Sequence, residues 1–384
     1  LRRGDDVLLR FPADGFQLGS VAALNDASSY DPVFVDPDQW LVVSSAEALG
    51  GPAAVAVRLS FESGATAVLT VTEEAPGRFK ATLVPEAGGP TLAQLRLSPV
   101  VDPAEAFYGL GEYFDAAEHR GRVRALQLEY EAKLESQYNE AHVPVPFVIG
   151  TNGWGLFVEN PYAAVVDVAA AADDRVTATF GTGPGSPEGL TFHLYAANHP
   201  LDVVRHYYAT TGNPRLPAPW ALGPWIWRDE NRNQAEVEDD IAQIRSLDLA
   251  TSAIWVDRPY ATAVNTFDWK ASDYPDPPRM IDRAHAAGLR VALWHTPYLE
   301  DSAQPLRKLA DQQGFFPTVR SLLLNGWSAP IDFFNSKARA QWSTWLDAYV
   351  RQGIEGYKLD YAEDIVPSVG DSRNRWQFAD GSDE

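Results

Sequence analysis

The chain has 384 residues, of which 45 % are hydrophobic and 22 % charged, ordinary proportions that exclude disordered and low-complexity classes. Its 31 Lys and Arg stand against 52 Asp and Glu, and a formal charge of −21 argues against nucleic acid or an anionic membrane surface as partner. No apolar run approaches the roughly 20 residues that span a bilayer, and the absence of cysteine excludes disulfides, thiolate metal sites and a Cys nucleophile. From residue 1 to about 191, short alternating runs are separated by Gly, Pro, Asn and Asp. Stretches 55–61, 66–71, 79–84, 147–150, 155–159 and 175–180 have the period of two that predicts half-buried strands, and hence an antiparallel β-sandwich. No long helical period precedes residue 200.

The pattern changes near Asn198-His199-Pro200. A short helix is expected over 202–210, ended by Pro214, Pro217 and Pro219. Strand-like and helix-like segments then alternate. Strands are expected over 222–227, 252–256, 289–294 and 356–359. Helices are expected over 234–247, where Val237, Ile241, Ile244 and Leu247 share a face, and over 278–287 and 337–352. Repeated β-α units predict a parallel sheet, either doubly wound or a (β/α)₈ barrel. No Gly-rich phosphate fingerprint follows any of these strands, which weakens a nucleotide-binding reading. The expected division is a β-sandwich domain over 1–215 and the first part of a barrel over 216–384.

Barrel chemistry sits at the carboxyl ends of the strands. Here those ends supply Trp225, Trp227, Arg228 and Asp229, then Trp255-Val256-Asp257-Arg258, then Trp294-His295, and finally Lys358-Leu359-Asp360-Tyr361-Ala362-Glu363. A single Asp after a strand is often only the cap of the next helix. Asp360 resists that reading because it ends an apolar strand, where an uncompensated carboxylate costs several kcal/mol. Lys358 lies two residues earlier and shares its face, so an ammonium stabilises the anion, as a nucleophile requires. The competing reading of Lys358 and Asp360 is a structural ion pair. The 12 Trp, 15 Tyr and 17 Phe supply core packing and, where exposed, flat surface suited to a sugar ring.

The segment Gly356-Tyr357-Lys358-Leu359-Asp360-Tyr361-Ala362-Glu363 resembles the nucleophile motif of glycoside hydrolase family 31, the retaining α-glucosidase and α-xylosidase family. Other stretches follow that family's order: Tyr108-Gly109-Leu110-Gly111-Glu112 with His119-Arg120-Gly121, Pro144-Val145-Pro146-Phe147 with Gly153-Trp154-Gly155, Thr211-Gly212-Asn213-Pro214 through Pro219-Trp220, Leu293-Trp294-His295-Thr296-Pro297-Tyr298, and Ile331-Asp332-Phe333-Phe334-Asn335. The resemblance implies an N-terminal β-sandwich, a (β/α)₈ barrel of which 216–384 is about the first half, and no obligatory cofactor or metal. It implies that Asp360 is the nucleophile, that Asp257 and Lys358 contact the sugar, that Trp294 walls the subsite, and that Glu363 sits behind the nucleophile. Trp227 and Trp225 are expected in the same wall. A retaining glycosidase needs two carboxyl groups roughly 5–5.5 Å apart, the second protonating the leaving oxygen. The family's acid/base lies several tens of residues past the nucleophile motif, so both chain ends read as limits of a longer protein and Asp364, Asp380 and Asp383 are set aside as donors.

Three departures from the family bear on specificity. Arg258-Pro259 follows Asp257 where an apolar or aromatic residue is usual, so Arg258 either hydrogen-bonds a hydroxyl or carboxylate of the substrate or pairs with Asp257 or Asp229. His295 is expected as a hydrogen-bonding subsite residue rather than a metal ligand, because no second ligand accompanies it. Glu118-His119-Arg120-Gly121 is the third. The leading expectation is a retaining α-glycosidase on neutral sugars, α-glucosidase-like with α-galactosides and α-xylosides left open. A catalytically silent sugar-binding relative, a transglycosylase, and a Mg²⁺-dependent enzyme using Asp257, Asp360 and Glu363 are the alternatives. Expected partners are small carbohydrates, with homo-oligomerisation and compartment (secreted, periplasmic or bacterial cytoplasmic) left open.

Overall fold

Residues Leu1–Pro214 and Arg215–Glu384 form two units, and each follows from a different hydrophobic period. The structure is a computed structural model that describes all residues except 23–35, 51–54, 127–142, 183–188, 321–322, 324–327, 363–364, 366–367, 370–371, 374–375 and 383–384.

In the first unit the period of two becomes antiparallel pairing. Among the described residues 13 strands hydrogen-bond in one continuous order. The strand Gln39–Ala48 joins two runs: its start pairs with Phe16–Val21, and beyond a bulge between Val43 and Ser45 its end pairs with Val55–Phe61. Such a bulge bends and re-aims a strand. Leu18, Leu95 and Val166 from one run meet Leu59, Leu83 and Phe192 from the other in a single apolar core. The helix Pro200–Thr211 follows, with His199 capping its first turn and Pro200 at a position that needs no N–H.

The Tyr108–Glu112 motif is a backbone requirement here. Gly109 and Gly111 both have φ of +107°, and a Cβ on either would collide with the carbonyl oxygen of Phe147 or Val143. Glu118-His119-Arg120-Gly121 is equally architectural. Glu118 accepts from the N–H groups of Phe107 (3.0 Å) and Arg120 (2.9 Å), and the Arg120 guanidinium donates to the carbonyls of Glu105, Asp173 and Asp102.

In the second unit Trp225–Arg228, Ala253–Val256, Arg290–His295 and Gly356–Leu359 form a parallel sheet in chain order. Helices Gln234–Ser246, Pro277–Ala286 and Ser336–Val350 begin where Asn233, Asp276 and Asn335 accept hydrogen bonds from first-turn N–H groups. A fourth helix, Leu306–Gln313, ends at the left-handed Gly314. One face of the sheet, with Ile226, Ile254, Val256, Val291, Leu293 and Tyr357, packs on Val237, Ile241, Ile244, Met280, Ile281 and Ala284. This burial of β-branched and leucine side chains fixes the register, because a one-residue slip would turn the whole set outward.

Candidate active site

The opposite face of that sheet carries the chemistry. Alternation places Trp227 from the first strand, Trp255 and then Asp257 from the second, Trp294 from the third, and Lys358 and then Asp360 from the fourth on one side. Trp227 and Trp255 stack at 5.4 Å. Lys358 Nζ lies over both rings, at 5.2 and 5.9 Å, in cation–π contact. It also lies 3.5 Å from Asp257 and 3.2 Å from Asp360, so the place between the two carboxylates is filled by an ammonium. Burial works against that ammonium, but the hydrogen bond to Asp360 and the charge of Asp257 outweigh it and raise its pKa.

The two carboxylates differ in access. Asp257's side chain is only 6 % exposed, and its Oδ2 accepts from the indoles of Trp227 (3.0 Å) and Trp255 (3.3 Å) as well as from Lys358. Its Oδ1 accepts from the N–H of Arg258 at 2.9 Å. Asp360 is 29 % exposed; its Oδ2 accepts from the Trp294 indole at 2.8 Å and its Oδ1 from the Tyr361 N–H at 3.2 Å. Tyr361 aims that N–H from a left-handed backbone, φ +61°, held by a hydrogen bond from the Tyr298 hydroxyl to its carbonyl, 2.6 Å. A bulky residue in this region is strained and persists only when its surroundings hold it there. Asp360 is thus a reachable carboxylate aimed by three donors. Such a group can attack an electrophilic carbon.

Trp294 also lines a cavity of about 440 Å³, together with Arg258, Tyr260, Asn265, Glu230 and Glu300 among others; Asp360, Asp257 and Lys358 are not in its lining. The Arg258 guanidinium sits 5.6 Å above the Trp294 ring.

Asp257, Lys358, Trp294, Trp227, Arg258 and Asp360 are therefore brought together. Two expectations are corrected. His295 has no accessible surface; it follows Trp294 directly, so the pleat turns it to the helix-covered face, where it meets no sugar. Trp225 lies two residues below Trp227, stacked on Trp220 at 5.4 Å and packed toward Gly356, a layer beneath the wall. Glu363 lies outside the described residues. Trp255 was placed at a strand end but given no role in the sugar wall, although its place two positions before Asp257 gave the signal, and Tyr298 and Tyr361 were given no role either.

Residues 214–383 match the family model for the glycosyl hydrolases family 31 TIM-barrel domain, and residues 51–167 match that for the glycosyl hydrolase 31 N-terminal galactose mutarotase-like domain. The chain belongs to glycosyl hydrolase family 31. Among curated relatives, an isomaltosyltransferase of Sporosarcina globispora is 24 % identical over 68 % of this chain and 27 % of its own length. An alpha-xylosidase of Emericella nidulans is 26 % identical over 73 % and 36 %. The chain thus spans about a third of the length of the family 31 relatives it matches. Among solved structures, a cycloalternan-forming enzyme from Listeria monocytogenes, in complex with a pentasaccharide substrate, superposes with a TM-score of 0.70 at 17 % identity, covering 88 % of this chain and 41 % of that one. That likeness speaks for the fold alone.

Proposed function

We propose that this family 31 protein is a retaining α-glycosidase acting on neutral α-linked sugars, with Asp360 as its nucleophile. The observation that carries the reading is the accessible Asp360 carboxylate, held by the Trp294 indole, Lys358 and the Tyr361 N–H at the carboxyl end of a barrel strand. An Asp360 oxygen forms a bond to the anomeric carbon while the bond to the leaving oxygen breaks and that oxygen takes a proton from a general acid. Water then attacks the same carbon, its proton returns to the general acid, and the carboxylate leaves. The general acid is assigned, by the family resemblance, to a carboxyl group later in the sequence than the nucleophile motif. Lys358 and the three indoles wall the sugar position, and Asp257 holds Lys358 in place. Arg258, at the cavity, is assigned to substrate contact.

Transfer to a second sugar is the other reading, favoured by the cavity beside Trp294, whose volume is in the range of ligand pockets. In that case a sugar hydroxyl replaces water in the second step. An isomaltosyltransferase among the relatives supports it. The test is a panel of p-nitrophenyl α-glucoside, α-xyloside, α-galactoside and β-glucoside on the full-length protein, with products followed by NMR. Release from an α-glycoside with the α-sugar as first product supports the proposal; first release of the β-sugar would overturn retention. Oligosaccharides longer than the donor would favour transfer. Silence across the panel would favour a sugar-binding relative.

A further inference from the structure

On the helix-covered side of the third barrel strand lies a buried polar cluster, two of whose residues, Tyr260 and Asn265, also border the cavity described above. The helix-covered face is otherwise apolar, and a hydroxyl, an imidazole and a carboxamide are costly to bury there unless hydrogen-bonded. All three are hydrogen-bonded, and to one short segment. Asn265, only 4 % exposed, donates through its amide nitrogen to the carbonyls of Thr296 and Tyr298, the latter at 2.7 Å. Both amide protons being committed to carbonyls, its oxygen is the acceptor facing His295 Nδ1 at 2.8 Å. His295 therefore carries its proton on Nδ1. Burial pushes its pKa down to about 3, so Nε2 is bare at neutral pH. Nε2 faces the Tyr260 hydroxyl at 3.2 Å, and that hydroxyl also lies 3.0 Å from the Trp294 carbonyl. The hydroxyl is thus within hydrogen-bond reach of both acceptors.

The supporting loop is itself strained. Asn265 and Phe267 have φ of +59° and +55°, and Phe267 stacks on His295 at 5.5 Å. The clamped segment touches Asp360 twice. Trp294 reaches it through its indole N–H, and the main-chain N–H of Asp360 donates to the His295 carbonyl at 2.9 Å.

We propose that Tyr260, His295 and Asn265 are positioning residues: a buried brace that fixes the main chain of Trp294 and His295 and thereby aims the Asp360 carboxylate. The proposal rests on the assignment of Asp360 as nucleophile. A brace of this kind acts on attack rather than on sugar binding, because small misplacements of a reacting group lower rate while leaving remote contacts intact.

The test uses the full-length protein and whichever p-nitrophenyl α-glycoside it turns over. Tyr260→Phe keeps the ring and removes the hydroxyl. Asn265→Gly keeps the left-handed backbone and removes the carboxamide, whereas Asn265→Asp places an oxygen against a carbonyl. Expected are falls in kcat of about 5- to 30-fold for Tyr260→Phe and Asn265→Gly and more for Asn265→Asp. The inhibition constant of the free product sugar should stay within about twofold. Should Asn265→Gly fail to fold, Tyr260→Phe decides. Wild-type kcat in Tyr260→Phe, or a loss shared equally by kcat, sugar affinity and thermal midpoint, would overturn the brace while Asp360→Asn remains inactive. An active Asp360→Asn would instead remove the nucleophile assignment, and the brace with it.

Discussion

The two faces of the four-stranded parallel sheet are written by alternate residues of the same strands, yet they do opposite work. On one face Trp227, Trp255, Trp294 and Lys358 surround two carboxylates, and every charge there meets an opposite charge or an indole N–H. On the other, Ile254, Val256 and Leu293 are sealed under helices, and His295, which intrudes among them with Tyr260 and Asn265, is neutral and hydrogen-bonded. The lesson is that an offset of one residue separates chemistry from support. Neighbours in sequence such as Trp294 and His295 belong to different parts of the molecule.

Breaking the charged face should produce the largest effects. Asp360→Asn keeps the shape but removes the attacking anion and turns one accepting oxygen into an N–H donor, so kcat should fall by about 10⁴-fold or more while the protein stays folded. Lys358→Met leaves Asp257 and Asp360 facing each other without the cation between them, and kcat/KM is expected to drop by about 10²-fold. Preserved kcat/KM in this variant would make the ion pair structural. Asp257→Ala, which frees Lys358 and two indoles, should lower kcat/KM by roughly tenfold or more. A change below about twofold would move Asp257 out of the site.

The smallest effect belongs to the dry face and has a definite sign. His295 has a folded pKa of about 3 against an ordinary value of 6.5 because burial disfavours its charge. Between those values the unfolded chain binds a proton that the folded one refuses, so this group's contribution to stability declines as pH falls from 6.5 toward 3. The slope is at most about 1.4 kcal/mol per pH unit. Tyr260, Tyr349 and Tyr357 face the ring, and burial pushes their phenols up, so none titrates in this window. In urea unfolding at pH 7, 5.5 and 4.5, the stability gap between wild type and His295→Leu should therefore narrow toward acid. Parallel curves would mean that folding leaves the His295 pKa unshifted.

Much of this site was legible because a period of two carries directional information. Lys358 and Asp360 were placed on one face from spacing alone, and the structure sets them 3.2 Å apart. The same rule, applied to Trp294, would have turned His295 away; residue type suggested a sugar ligand there, but pleat geometry prevailed. Helices with an Asn or Asp cap and an apolar stripe, such as Gln234–Ser246, were readable to within a residue or two. The helix Leu306–Gln313 was not, because its eight residues Leu-Arg-Lys-Leu-Ala-Asp-Gln-Gln bury only Ala310 fully and show no wide apolar face. Long-range closures were invisible for a further reason. Asn265 to Tyr298 and Tyr298 to Tyr361 are contacts between segments distant in sequence that depend on left-handed backbone at Asn265 and Tyr361, which no periodicity announces. The Gly109 and Gly111 motif, by contrast, was recognised first as a family likeness and acquires its physical cause only from the approach of Phe147 and Val143.

The most direct test of the central claim is to trap the covalent intermediate. The full-length protein, incubated with an activated fluorinated α-glycosyl fluoride of the sugar it hydrolyses, should gain the mass of one glycosyl group, and peptide mapping should place it on Asp360 within the Tyr357–Tyr361 stretch. A glycosyl group on any other carboxylate, or turnover of that donor by Asp360→Asn at the wild-type rate, would contradict the account.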